Sequence, residues 1–440
     1  MNKTPKEYHR VSTSSLLQFI NENVTHKNVM IVSGARQVGK TTLIKSILKD
    51  KPHLYINLEE KPSVADQIDR CVDFTDFESF LKERCQFDLE TQILCIDEAQ
   101  KSVRLGSFVG FMKENWEGAT VILTGSLINE LHNETPRRPV GRETFLDLWP
   151  MTFREFVAAM EQTSLVTVLD TFRPGNTITP MQHTRLLELF DQYLFVGGLP
   201  EIVTQFREGL DFQTRRRDIF KTYEDDFVRY FSQENINLFR RAISAVADHV
   251  GSLSKDTHVV ENNRPGYRKV AGIFSRLEKW KLIIKCEQIG ISPEHNARAP
   301  KRYLYDVGVL CEYRLRGLEQ ISVTQIDNPL LRIPLGGIVE NALALSLRNQ
   351  FGDALYGLQL SPDAEVDFLV KHDRAAIPIE CKMSLKFKTS YLSGLATYLK
   401  KTQSKNPAFL FYGGMPLTEP TAGCFIVPYY FCDSVKRWLL

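Results

Sequence analysis

Met30 to Leu48, MIVSGARQVGKTTLIKSIL, runs from an apolar segment through two glycines into a lysine, two threonines and an amphipathic run. Gly34, Gly39, Lys40 and Thr41 fall at the spacing G-x-x-x-x-G-K-[ST], with the strand before and the helix after that this pattern requires. The glycines let backbone amides close around phosphate oxygens, Lys40 offers an ammonium to the terminal phosphates, and the Thr41 hydroxyl can ligate Mg2+. A helix opening at Thr42 adds the positive end of its dipole. The loop Gly34, Ala35, Arg36, Gln37, Val38, Gly39, Lys40, Thr41 and Thr42 is therefore expected to hold ATP with Mg2+.

A phosphate loop needs an acidic partner, and QILCIDEAQ (92 to 100) supplies one: a mainly apolar run delivers Asp97 and Glu98 at its carboxyl end. Asp97 is expected to hold Mg2+ and Glu98 to polarise the attacking water. The competing reading, a strand ending in a solvated turn, loses once a phosphate loop lies upstream. VILTGS places Thr124 and Ser126 at another strand end, where Thr124 could report on the γ-phosphate; a Thr-Gly-Ser is equally good turn chemistry. Transition-state charge calls for an arginine, with Arg142 of GRETF the first candidate and Arg137 and Arg138 behind it. Each is as readily a solvated basic side chain.

Outward from this core, apolar runs alternate with helical patterns (LYINLEE, FESFLKERC, QILCIDEAQ, FVGFMKENW, VILTGSLINEL), the rhythm of a parallel α/β sheet with its ligand at the strands' carboxyl ends. Residues 1 to 29 read as a polar lead-in with one short helix near Leu16 to Asn21. After about Asn133 helical patterns dominate, then FRRAISAVADHVGSL, YRKVAGIFSRLEKWKLI, KLIIKCEQIGI and KRYLYDVGVL suggest helices followed by a two-stranded wing. The last hundred or so residues return to α/β: helix 336 to 350, strands near 354 to 360, 365 to 370 and 376 to 382, helix 389 to 401, strands near 408 to 412 and 423 to 428. Four segments are expected: 1–150 an ATPase core, 151–235 a helical lid and connector, 236–312 a winged-helix-like segment and 313–440 a C-terminal α/β domain.

In that last segment EVDFLV and IPIECK place Asp367, Glu380 and Lys382 on neighbouring strands, with Glu380 and Lys382 facing one side. This is the D-x(n)-E-x-K pattern of restriction-endonuclease-like sites, in which carboxylates hold Mg2+ and the lysine positions a water; Glu340 on the preceding helix could add a ligand. Satisfied charges on a sheet edge would read the same way, and activity does not follow from fold. The basic KMSLKFKTSYLSGLATYLKK beside it could track a phosphate backbone or merely solubilise a helix.

Composition narrows the partners. In 440 residues, 43% hydrophobic, Lys and Arg number 55 against 53 acidic residues, so the net charge of +2 gives no global pull toward nucleic acid or anionic membranes. The 8 cysteines form no C-x-x-C pair and several lie in apolar runs, which suits reduced, buried thiols and a cytoplasmic location. No signal peptide and no membrane-spanning run is read.

In order along the chain, SGARQVGKTTL, YINLEE, ILCIDEAQ, VILTGS, GRETFLDLWPMTFREF, FVGGLPEIV, YEDDFVRY, RKVAGIFSRLEKWKLI, KRYLYDVGVL, IVENALALSL, AEVDFLV and IPIECK resemble the prokaryotic AAA-type ATPases that carry a C-terminal domain of unknown function 4143. Departures are small: Ala35 stands where a proline is more common, and Leu127 where a second serine is. The resemblance implies an ATPase core, a helical lid, a winged helix, a nuclease-like C-terminal domain, and homo-oligomers in which one subunit's arginine completes its neighbour's site. DNA, branched or damaged structures included, is the partner expected first. Sequence support lies in Arg215 to Arg217, in Arg240 and Arg241, and in the basic 264 to 285 segment. A nucleotide switch acting on a protein partner and an ATP-regulated nuclease are the alternatives.

Overall fold

The computed structural model describes residues 10, 12–22, 24–128, 131, 141–231, 235–254, 259, 267–291, 299–315, 317, 321–322, 329–361 and 364–440. Arg137, Arg138 and the 264–266 start of the basic segment lie outside these. The chain divides into two compact units, Met1–Trp149 and Pro150–Leu440. The fold class is α/β, a parallel sheet of the P-loop ATPase type followed by a second, mixed sheet.

In the first unit, helix α1 (Ser12–Asn21) precedes strand β1 (Val29–Ser33), which leads through the glycine loop to α2 (Lys40–Leu48). Then come β2 (His53–Asn57), α3 (Pro62–Arg70), α4 (Phe74–Arg84), β3 (Ile93–Asp97), α5 (Leu105–Asn115), β4 (Val121–Thr124) and β5 (Glu143–Asp147). The strands lie in the order β2-β3-β4-β1-β5, all pairs parallel. β1 is buried along its whole length, as an apolar strand covered on both faces should be. Beside the sheet, Phe77 stacks on Phe108 with ring centroids 4.8 Å apart, next to buried Trp116.

The second unit opens with helices whose starts are written locally. Thr152 caps α6 (Phe153–Ala159) in a capping box with Glu155, and Thr179 with Gln182 does the same for α8 (Pro180–Val196), after α7 (Thr163–Thr171). Next come α9 (Pro200–Arg207), α10 (Phe212–Phe231), α11 (Ile236–Asp248), α12 (Tyr267–Lys279), β6 (Ile283–Gly290), β7 (Lys301–Leu304) and α13 (Val307–Arg314). The chain ends with α14 (Pro329–Phe351), β8 (Leu355–Ser361), β9 (Ala364–His372), β10 (Ala375–Cys381), α15 (Ser393–Thr402), β11 (Ala408–Tyr412), β12 (Cys424–Pro428) and α16 (Val435–Leu439).

The expected wing takes a different form. β6 and β7 pair antiparallel from Ile283↔Leu304 to Cys286↔Lys301, but β6 is long enough to continue, and its second half pairs parallel with β8 from Glu287↔Tyr356 to Gly290↔Gln359. The hairpin is thus the end of a seven-stranded sheet, β12-β11-β10-β9-β8-β6-β7. The residues expected as lid, winged helix and C-terminal domain share one compact body.

Two of the motifs meet on one buried carboxylate. Asp306, fully buried, caps α13 by accepting from Val309 N at 2.9 Å and accepts from Gly198 N at 2.7 Å. Gly198 in turn packs so closely that a Cβ there would sit 2.3 Å from the Met151 carbonyl oxygen. Gly198→Ala is therefore expected to destabilise this unit by about 2 to 3 kcal/mol, measured as a lowered urea midpoint with an unchanged m-value.

Candidate nucleotide site and a second charged cluster

The register of the first sheet sets β1, β3 and β4 to end at one level, with Val32↔Thr124 and Ile96↔Leu123 as neighbours. Asp97 therefore emerges beside the glycine loop. Its buried carboxylate accepts from the Thr41 hydroxyl at 2.7 Å, the Tyr55 hydroxyl at 2.6 Å and the Glu98 backbone N–H at 2.9 Å. Thr41 and Asp97, expected from sequence as the Mg2+ residues, are thus in direct contact. Burial and the Asp97 carboxylate push the Tyr55 hydroxyl well above its ordinary range, so it stays a donor.

The loop is shaped by backbone that side chains rarely adopt. Gly39, which opens α2, has φ 95°, and a Cβ on Gly34 would lie 2.3 Å from the Leu148 carbonyl oxygen. Lys40 is buried and folds back to donate to the carbonyls of Gly34 (2.8 Å) and Ala35 (2.9 Å). Burial lowers its ammonium to about 8, against the opposing pull of Glu98 and Asp97. Buried Arg10 braces the loop from outside, donating to the Val38 carbonyl at 2.8 Å and the Trp149 carbonyl at 2.5 Å.

Glu98 sits in the left-handed region, φ 51°, where its carboxylate accepts from Gln100 Nε2 at 2.5 Å and Ser126 Oγ at 3.3 Å. Thr124 is fully buried, and its hydroxyl has no hydrogen-bond partner among the described residues. A group this costly to bury unsatisfied fits a site completed by a ligand. The donor set of Thr41 hydroxyl and Asp97 carboxylate suits a hard cation such as Mg2+.

Arg142 does not join this constellation within one chain. Parallel pairing sets Val29 against Glu143 and Ser33 against Asp147, so Arg142 precedes β5 at the sheet's amino end, opposite the glycine loop. There its guanidinium pairs with Glu114 of α5 and packs on Gly110. The sequence reading also missed Tyr55, Gln100 and Arg10. The first has a signal in retrospect: in LYINLEE, Tyr55 shares a face with Asn57, whose register partner is Asp97.

In the second unit, Glu340, Asp367, Glu380 and Lys382 do come together. Glu380 accepts from the Asp367 backbone N–H at 3.3 Å and from the Lys382 ammonium, while Asp367 accepts from Cys381 N at 2.8 Å. The sequence reading missed what completes them. Lys301 of β7, with no exposed surface, lies 3.3 Å from Glu340, 3.1 Å from Glu365 and 3.5 Å from Asp367. Tyr303, next on the same face, donates to Glu340 at 2.8 Å. Burial, with the Asp367 carboxylate adding, raises Glu380 to about 8, and burial raises Glu340. Burial alone would lower Lys301, but Glu340, Asp367 and Glu365 outweigh it and hold it well above its usual range.

The arginines set aside for nucleic acid are largely engaged within the chain. Arg215 pairs with Glu201 at 2.6 Å, Arg240 with Glu224 at 2.6 Å, and buried Arg216 with Glu312 at 2.8 Å and the Phe195 carbonyl at 2.6 Å. All eight cysteines are free thiols, and among the described residues no helix is long and apolar enough to cross a membrane.

Comparison with known families agrees with the site. Residues 26–157 match the AAA domain family, residues 187–321 a domain of unknown function (DUF8612) and residues 335–431 a domain of unknown function (DUF4143). The first unit is an AAA-type P-loop ATPase domain, a nucleotide-binding fold. The chain joins it to a C-terminal domain of the DUF4143 family. An uncharacterized protein of Haemophilus influenzae is 22% identical over 289 residues, 62% of this chain and 66% of the relative. Another, of Methanocaldococcus jannaschii, is 24% identical over 217 residues, 47% and 44% of the two. The chain thus spans just under two thirds of the first relative's length and under half of the second's. Among solved structures, the Walker-type ATPase of Pyrococcus abyssi is similar with TM-score 0.43 and 17% identity, covering 70% of this chain and 96% of that one. The Aeropyrum pernix ORC1 protein in complex with DNA gives TM-score 0.30 and 15% identity, covering 75% and 95%.

Because the Tyr55 hydroxyl orients the Asp97 carboxylate from outside any ion it would hold, Tyr55→Phe should weaken Mg2+ dependence of nucleotide binding by about ten-fold. A Mg2+ titration of a fluorescent ATP analogue against both proteins reads this directly.

Proposed function

We propose that the chain hydrolyses ATP with Mg2+ and that the cycle controls what its second unit engages. The observation that carries this reading is the Thr41–Asp97 contact beside a buried lysine and a positioned Glu98. Loop amides and the Lys40 ammonium bind the β- and γ-phosphates, with Lys40 leaving the Gly34 and Ala35 carbonyls to do so. Thr41 and Asp97 would hold Mg2+, which when bound neutralises phosphate charge. Glu98, placed by Gln100 and Ser126, accepts a proton from the attacking water. Thr124 offers its unsatisfied hydroxyl to the γ-phosphate. Arg142, at the far end of the sheet, can serve only a neighbouring subunit, so a role for it requires a homo-oligomer.

For what lies downstream, intramolecular pairing of Arg215, Arg216 and Arg240 favours a protein partner over nucleic acid, with the C-terminal domain as a binding platform. A DNA-directed reading rests on the exposed Lys386, Lys388 and Lys400, which follow the D-x(n)-E-x-K motif in the sequence. Binding through several such lysines would weaken steeply as salt rises. Anisotropy of labelled duplex and branched DNA at rising salt separates the two; binding that ignores both salt and a Lys386→Glu/Lys388→Glu change would remove the DNA reading.

For the ATPase itself, Lys40→Ala should lose at least ten-fold in ATP affinity. Glu98→Gln should bind ATP within about three-fold of the parent yet release phosphate about a hundred-fold more slowly. Calorimetry and a phosphate-release assay read the two effects, and full turnover in Glu98→Gln would reassign the base.

A further inference from the structure

The D-x(n)-E-x-K cluster of the second unit has the residues a metal-dependent nuclease would use, yet their charges are already answered. Glu340 comes from α14, Glu365 and Asp367 from β9, and into the space they share β7 inserts the Lys301 ammonium, fully buried and within 3.1 to 3.5 Å of all three carboxylates. The remaining carboxylate, Glu380, bonds to the Lys382 ammonium. Tyr303 spends its hydroxyl on Glu340 Oε1, the same oxygen that Lys301 contacts. Mg2+ requires about six oxygens near 2.1 Å in octahedral array, several of them water. A cluster whose facing oxygens already surround an ammonium with no exposed surface has no vacancy of that kind. Consistent with this, no group of three or more His, Cys, Asp or Glu among the described residues is arranged to hold a metal ion.

We propose that Lys301 is the resident cation of this cluster, and that its ammonium stands where a divalent metal would otherwise bind and keeps the domain from acting as a metal-dependent nuclease. Buried carboxylates need a paired charge, and here the chain supplies its own. The residues do not fit a metal while Lys301 is in place; with the ammonium gone, they regain the demand for one. Lys301 would hold this place whether or not the first unit hydrolyses ATP, so the test is made without nucleotide.

The test uses the full chain and Mn2+ as the probe, with free Mn2+ followed by electron paramagnetic resonance. The parent should take up no Mn2+ that Asp367→Asn removes at concentrations below about 1 mM, whatever the Thr41–Asp97 pair of the first unit takes. Lys301→Met, close in length and without charge, should gain one site at least ten-fold tighter than any binding by the parent, and adding Asp367→Asn should abolish it. The thermal midpoint of Lys301→Met should rise with Mn2+ by more than that of the parent or of Lys301→Met/Asp367→Asn, since a ligand of the native state alone stabilises it. Mn2+ uptake by the parent that disappears in Asp367→Asn overturns the proposal, and this arm stands whether or not Lys301→Met folds. A folded Lys301→Met that gains no site overturns it equally.

Discussion

A carboxylate buried at the end of a strand has to be answered by donors, and Asp97 is the point on which the first unit turns. Its oxygens collect a hydroxyl from α2, a hydroxyl from β2 and its own neighbour's amide. Such charge-assisted bonds are each worth about 1.5 to 3 kcal/mol, enough to fix the glycine loop, the strand end and β2 in mutual register. The chemistry proposed for the site follows from that register: the residue that steadies Asp97 in the present arrangement, Thr41, is the one that would share an ion with it.

The second unit solves a similar problem with opposite means. Several carboxylates converge from α14, β9 and β10, too many for backbone donors to satisfy, and two lysines enter the same space. Where the first cluster leaves a hydroxyl at Thr124 unsatisfied, the second leaves little for a ligand to complete. The contrast matters because a motif of residue types describes both equally well, and only the neighbours separate a site awaiting an ion from one that has its charge built in.

Much of this was legible in the sequence, and the failures have identifiable causes. The glycine loop, the buried ILCID strand and the later strands could be read because their patterns are local: spacing, period and apolar length decide them. Asp97 against Thr41 followed from the parallel α/β rhythm, which brings strand ends to one edge. The position of Arg142 is not legible in a run such as GRETF, which does not say which end of the sheet it occupies; only pairing of β5 with β1 does. Lys301 was invisible because its partners lie as far as 39 residues away at the nearest, and a lysine beside an aromatic strand reads as a strand's solvated start. The arginines of 215 to 217 looked available for a polyanion since their acceptors, Glu201 and Glu312, belong to other helices.

Arg10 ties together two carbonyls, at Val38 and Trp149, that belong to opposite ends of the first unit's chain. A polypeptide shortened past this residue would keep every phosphate-loop residue and every strand, yet would lose the charged donor to both carbonyls, bonds of a kind worth about 1.5 to 3 kcal/mol each. The border of a minimal stable fragment of the first unit therefore lies upstream of its first strand, in sequence that contributes nothing to the nucleotide motif itself.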